Sequence, residues 1–333
     1  MLKTLTLIVS GLNPLRAGGE AGATQWPQLA RLAGRGSVSK RPIDARQDAL
    51  HAAILDALQL HDVADKYPSA AVVRTGLTGE RAGGFWLRAQ PIHFAAGLDR
   101  LTTVPLHGQA RMSIAERNSL APTFADHLQS TGFELHDGAD GEWLLRSEAP
   151  LQVQTVTPEF AAANPAEHIL PSGRDAGGLR RLMTELQMLL HEHPVNSQRQ
   201  LRGLPALNAI WLHGEGMLSD VSAHASAQAL PVGCGDDVYL RGIYRLHDRP
   251  VQPQPADAAS LLSRISGPTL ACIDEGRVEA LEGQWLAPLS RALMSGAIAR
   301  LTVMFDGWQV ITDRAAMFKL WRRDLQPANW AAC

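Results

Sequence analysis

The sequence predicts an α/β fold: a mostly parallel sheet flanked by helices, with a small α+β module inserted into it. Three observations carry this. Four apolar runs, LTLIV (5–9), NAIWL (208–212), TLACI (269–273) and RLTVMF (300–305), show little polar alternation, as expected of strands covered on both faces. Helical patterns lie between them, and strands alternating with helices point to a parallel sheet. From about residue 75 to 150 the rhythm changes to short strand-like pieces interrupted by one helix. The core domain is therefore expected in residues 1–74 and 151–333, and the module in 75–150.

Each element has a local reason. MLKTLTLIVSGLNP opens like a short export signal, but Leu5, Leu7 and Val9 alternate and Asn13-Pro14 interrupts the run, so it is read as a first buried strand. QLARLAGRG ends on Gly36, a helix stop. DARQDALHAAILDALQL carries Ala49, Leu50, Ala53, Ile54, Ala57 and Leu58 at helical spacing. In the module, GFWLRA, PIHFAA, DRLTTVPL, FELHD and EWLLRS read as strands, and a helix is expected near 113–130. GGLRRLMTELQMLLHEH puts Leu179, Leu182, Met183, Leu186, Leu189 and Leu190 on one stripe, closed by Pro194. LHDRPVQPQPADAAS, with three prolines, reads as a loop or linker. RVEALEGQWLAPLSRALMSG and RAAMFKLWRR are expected to supply later helices.

Composition narrows the function. The 333 residues are 45% hydrophobic and 19% charged, with formal net charge −2. No basic surplus is available to neutralise phosphates, so no nucleic-acid partner is expected. No run reaches the roughly 18 apolar residues that span a bilayer, so no membrane partner is expected either. The three cysteines, Cys234, Cys272 and Cys333, form no C-x-x-C pair; Cys272 reads as a buried thiol, and the usage fits a cytoplasmic protein. There is no dinucleotide fingerprint, P-loop or G-x-S-x-G elbow. His191, Glu192 and His193 lack the H-E-x-x-H spacing, and Asp137 and Asp140 read as a turn. No cofactor and no metal site are expected.

One stretch is more specific. HPVNSQRQLRGLPALNAIWLHGEG (193–216) resembles a segment of archaeal-type, cofactor-independent phosphoglycerate mutases of the form H-P-V-N-x-x-R-x-x-x-G-x-x-P-A-N-x-x-x-x-x-G-x-G. His193, Pro194, Val195, Asn196, Arg199, Gly203, Asn208, Gly214 and Gly216 match, and Leu207 stands where the family has Ala. WLRAQPIHFAAGLDRLTTV and GQARMS resemble the family's R-x-N-F, D-R-R and A-G-R stretches, aligning Arg88, Asp99, Arg100 and Arg111; Pro91 and Leu101 depart from the pattern. The resemblance implies an alkaline-phosphatase-like fold and places these residues around a small phosphorylated or carboxylated ligand, for which arginine forks are well suited. Asn208–Leu212 is expected as a central strand with Gly214-x-Gly216 as the turn at its carboxyl end. His193, Asn196 and Arg199 would line the same crevice or brace it.

The family's chemistry uses two divalent metals and a Ser nucleophile, and this chain departs from it where the ligands should fall. Ser10-Gly11 stands for the family's Asp-Gly, Gln47 precedes Asp48 where the nucleophilic Ser should be, no His follows Asp274, and Asp306-Gly307 stands for a final Asp-His pair. A bacterial group of phosphoglycerate-mutase-like regulatory proteins, the pathogenicity-factor (Rpf) E type, resembles the chain more closely through RRLMTELQMLLHEHPVN, LPALNAIWLHGEG, WLAPLSRALMSG and FKLWRR. The leading expectation is a non-catalytic regulatory or ligand-sensing protein. Two others stay open: an active phosphoryl-transfer enzyme using Asp48, Asp274, Asp306, His193 and Asp99, and an interaction protein docking a partner through WRRDLQPANW.

Overall fold

A computed structural model describes residues 3–15, 26–96, 101–164, 169–218 and 230–332. The chain divides into two compact units. The first comprises Met1–Ile43, Ala49–Asp62 and Ala225–Cys333; the second comprises Asp44–Asp48 and Val63–His224.

The strands are β1 (Thr4–Ser10), β2 (Ser37–Lys40), β3 (Phe85–Ala96), β4 (Leu101–Pro105), β5 (Phe133–Asp137), β6 (Trp143–Ser147), β7 (Ala209–Gly216), β8 (Val232–Cys234), β9 (Val251–Gln252), β10 (Thr269–Asp274), β11 (Arg300–Phe305) and β12 (Trp308–Asp313). In the first unit they form a seven-stranded sheet in the order β2-β12-β11-β1-β10-β8-β9. Every pairing from β11 to β9 is parallel, and β12 alone runs against its neighbours. This is the mostly parallel α/β sheet expected. Leu5, Leu7 and Val9 face a core shared with Leu29, Leu32, Trp285, Leu289 and Trp330. On that face lies helix α1 (Pro27–Arg35), which ends at Gly36. Helix α2 (Ala49–Ala57) also packs on β1 and β11.

No side chain of its own N-cap residue, Trp26, caps α1. The carboxylate of buried Glu282 does so instead, accepting from the N–H of Gln28 at 2.6 Å and of Leu29 at 3.0 Å. This satisfies donors that a helix start leaves unpaired.

The second unit holds a five-stranded antiparallel sheet in which β3 pairs with β4, β6 and β7, and β5 with β6. Here the structure corrects the sequence reading. Of the run 208–212, residues 209–212 lie in β7, antiparallel to β3, and do not join the parallel sheet. Their unbroken burial has a different cause: Ile210 and Leu212 enter one core with Leu87, Leu145 and Leu186, while Ala209 and Trp211 enter another with Ile92 and Ala161. The second unit also extends on both sides of the 75–150 segment. Helices α3 (Ser69–Thr78), α4 (Ile114–Leu128), α5 (Pro158–Ala163), α6 (Ala176–His191) and α7 (Pro194–Leu201) all belong to it.

Two smaller corrections follow. Pro194 ends α6 as expected, but it also begins α7, because a fixed φ and a missing N–H suit the first helical position. RAAMFKLWRR is helical only over Arg314–Met317, and the residues after it turn away. Of the cysteines, Cys272 is buried, as read from its run, and burial pushes its thiol well up; Cys333 lies outside the described residues.

Candidate functional site

The Gly214-x-Gly216 pair is not a turn beyond the strand; it is the last part of β7 itself. Opposite it, the register with β3 shifts: Arg88 pairs with His213 and Trp86 with Gly216. One more residue fits on β7 than on β3, a β-bulge, which bends a strand and re-aims its side chains. Both glycines are needed. Gly214 has φ 67° and Gly216 φ 147°, and a Cβ on Gly216 would sit 2.6 Å from the side chain of Pro68. A Cβ on Gly214 would lie 3.0 Å from Cβ of Ser69. The strand therefore lies directly against the first residues of α3.

Around this bulge lie three mostly buried charges of the second unit, Arg88, Glu142 and Glu215. Arg88, from β3, donates through Nε to both oxygens of Glu142 at 3.0 Å, and through Nη1 to the Ser69 hydroxyl at 3.3 Å. Arg88 and Glu142 are 13% and 3% exposed, so the pair lies almost wholly away from water. Burial opposes the guanidinium charge, but Glu142, and behind it Asp48, outweigh burial and raise the Arg88 pKa above its ordinary value. Glu215, the residue between the two glycines, accepts from the Thr155 N–H at 3.0 Å and from the Thr155 hydroxyl. Burial pushes the Glu215 carboxyl above its ordinary range, with Thr155 and Arg46 pulling the other way. Ser69, Glu142, Thr155 and Glu215 escaped the sequence reading. A glutamate framed by two glycines at a strand end was a usable signal for Glu215; no local signal ties Glu142 to an arginine 54 residues away.

The rest of the family-like stretch is brace. His193 caps α7, its Nδ1 accepting from the Val195 N–H at 3.3 Å. The Asn196 amide donates to the carbonyls of Leu190 and Leu207, both at 2.9 Å, and accepts from the Leu207 N–H at 2.8 Å. Arg199 is fully buried; it donates to the carbonyls of Pro205 and Ala110 and to Glu116 at 3.0 Å. Burial opposes the Glu116 charge, but hydrogen bonds from Ser113 and the neighbouring Arg199 and Arg202 hold its carboxyl below the ordinary range. Asn208 clasps the other end of β3, accepting from the Phe94 N–H at 2.6 Å and donating to its carbonyl at 2.9 Å. Arg111 pairs with exposed Asp140 at 3.4 Å. Asp99 and Arg100 lie outside the described residues.

The carboxyl edge of the parallel sheet, where open α/β sheets bind ligands, carries a different set. Ser10 of β1 stands in register with Asp274 of β10. Its hydroxyl donates to the Ile273 carbonyl at 3.2 Å and to Asp274 at 3.4 Å. Asp306 directly follows Phe305, the last residue of β11, whose register on β1 runs to Ile8 opposite Met304. Gln254 links the edge further, accepting from the Asp274 N–H at 3.2 Å and donating its own N–H to Asp236 at 3.3 Å. No histidine occurs in these strand-end segments. Among the described residues no three His, Cys, Asp or Glu side chains are placed to hold a metal ion. Gln47 and Asp48 belong to the second unit.

No family profile matches the chain. Over 59 residues, 18% of its length, it is 42% identical to the 2,3-bisphosphoglycerate-independent phosphoglycerate mutase of Methanothrix thermoacetophila; the match spans 15% of that relative. Two solved structures align with most of the chain at 16% identity. The cofactor-independent phosphoglycerate mutase of Thermoplasma acidophilum is covered over 95% of its length by 99% of this chain, with a TM-score of 0.44. The PH0037 protein of Pyrococcus horikoshii is covered over 87% by 94% of this chain, with a TM-score of 0.45.

Proposed function

We propose that this protein is a distant relative of the cofactor-independent phosphoglycerate mutases that has a regulatory or ligand-sensing role and does not carry out metal-assisted phosphoryl transfer. The observation that carries the reading is the donor set at the carboxyl edge of the parallel sheet. A two-metal centre clamps attacking and leaving oxygens and needs several carboxylate and imidazole ligands in one place. Among the described residues this edge offers Ser10, Asp274 and Asp236, with Asp306 at the end of β11 and no imidazole in the strand-end segments; Ser10 donates to the Asp274 carboxylate and the Ile273 carbonyl, and the Gln254 N–H donates to Asp236. These residues do not fit two divalent ions. The sequence likeness to a phosphoglycerate mutase over 59 residues supports the ancestry. Placement among the Rpf E-type regulatory proteins rests on the sequence phrases alone.

The expected phosphorylated or carboxylated ligand is also narrowed. The charges of Arg88 and Arg199 are answered by Glu142 and Glu116 inside the protein, leaving the more exposed Arg111 as the described arginine of that set best able to meet an anion. Elemental analysis of the purified chain after incubation with manganese, together with a phosphoglycerate mutase assay at high protein concentration, tests the reading. Substoichiometric metal and no turnover are expected; two bound metals per chain or metal-dependent turnover would overturn it.

A further inference from the structure

Against the expectation of no membrane partner, which rested on the lack of a bilayer-spanning run, we infer that the turn Phe318–Arg323 docks the protein peripherally on an anionic lipid surface. Three large apolar side chains project into solvent within four residues: Phe318 is 57% exposed, Leu320 72% and Trp321 78%. Scattered single exposures are ordinary, but a contiguous set marks a contact surface. The turn is not loose. The Arg35 guanidinium donates to the Met317 carbonyl at 2.8 Å, Arg322 donates to the Gly36 carbonyl at 3.1 Å, and the Leu325 N–H donates to the Ala30 carbonyl at 2.9 Å. The backbone of Arg323 and Asp324 lies so close to α1 that a Cβ on Gly34 would meet the Arg323 oxygen at 2.1 Å. The apolar side chains are thus presented on a fixed support.

Charge decides the occupant. Lys319, Arg322 and Arg323 interleave with the apolar residues, and Asp324 is the one acid among residues 318–324. Residues that pair with one another elsewhere on the surface do not do so here: among the described residues, none of these three cations has a carboxylate partner. A second copy meeting this patch through a two-fold axis would set the cations of one chain against those of the other. An anionic bilayer answers both features. Trp, Leu and Phe enter the interface while Lys and Arg stems lie along it with their charges at the anionic headgroups.

Co-sedimentation of the full chain with phosphatidylcholine vesicles, and with vesicles containing phosphatidylglycerol as well, tests this. Binding to the anionic vesicles alone is expected, weakening as salt is raised. The double variant Leu320→Ser, Trp321→Ser should bind them at least about tenfold more weakly, since it removes the two most exposed apolar anchors. Its thermal unfolding should match the parent, because both side chains are exposed in the folded chain. The charge variant Lys319→Glu, Arg323→Glu should lose binding likewise. Failure to bind either vesicle, binding indifferent to lipid charge, or a concentration-dependent dimer that Trp321→Ser dissolves would each overturn the assignment.

Discussion

Arg88 and Glu142 show how a single pair can shape a site. The arginine is held charged in a nearly dry environment by one carboxylate and tied to the Ser69 hydroxyl. Removing one partner leaves the other buried and unanswered. Arg88→Ala or Glu142→Gln is therefore expected to destabilise the protein by about 3–5 kcal/mol, measured by urea denaturation. The double replacement Arg88→Met, Glu142→Leu should lose much less. Glu215 makes a prediction of a different kind. Its folded-state pKa lies above the ordinary 4.5 because its half-buried carboxyl loses water, which outweighs the pull of Thr155 and Arg46. A proton is bound more tightly by the folded chain than by the unfolded one. The resulting stabilisation is complete below 4.5 and is lost as pH rises through the raised value. Glu215→Gln removes that dependence, so the variant should gain stability relative to the parent as pH is raised from acid to neutral. A pH-independent difference between the two melting curves would contradict this.

Among the elements, α1 depends on a residue far along the chain. Glu282→Ala removes the carboxylate that receives the N–H groups of Gln28 and Leu29; a loss of about 1–2 kcal/mol is expected, as for a deleted helix cap, with faster amide exchange in the first turn of α1. The elements also show what could be read in advance. Periodicity located α1, α2, α4, α6 and the runs at 5–9, 269–273 and 300–305, because an uninterrupted apolar strand needs cover on both faces and helices supply it; it missed the shorter helices α3, α5, α7, Val238–Leu246 and Ala258–Arg264, the last of which begins inside the stretch read as a loop or linker. The same logic misassigned 208–212. An apolar run reports that both faces are covered, not which sheet the strand joins; that choice was made by β3, more than a hundred residues earlier. The Gly214-x-Gly216 motif was visible, but its role depends on Pro68 and Ser69 pressing against it, a contact no local pattern records. Asn196, Arg199 and Asn208 were singled out by the family resemblance of their stretch, and only their partners show that they hold the backbone together.

For the whole molecule, one core, around Leu5 and Leu289, lies within the first unit and another, around Leu87 and Ile210, within the second, so each can be probed by its own substitution. Trp330, fully buried against Phe305 and Trp308, serves the first core, and Trp330→Ala should cost it about 3–5 kcal/mol. Arg88→Ala should weaken the second. If the units unfold as distinct steps, denaturation followed by both fluorescence and circular dichroism will show each substitution moving a different transition. Equal displacement of one shared transition by both would show that the units unfold as one. The topology of the first unit has a further consequence for synthesis. Strand β1 lies between β10 and β11, and 264 residues separate Ser10 from its partner Asp274. On a ribosome adding about 5–20 residues per second, β1 waits roughly 13–50 s for that neighbour to be made. The second unit, nearly continuous in sequence, can close during the interval. The apolar face of β1 stays open meanwhile, so the nascent chain is a natural client for chaperones that shield exposed strands until the last third is made.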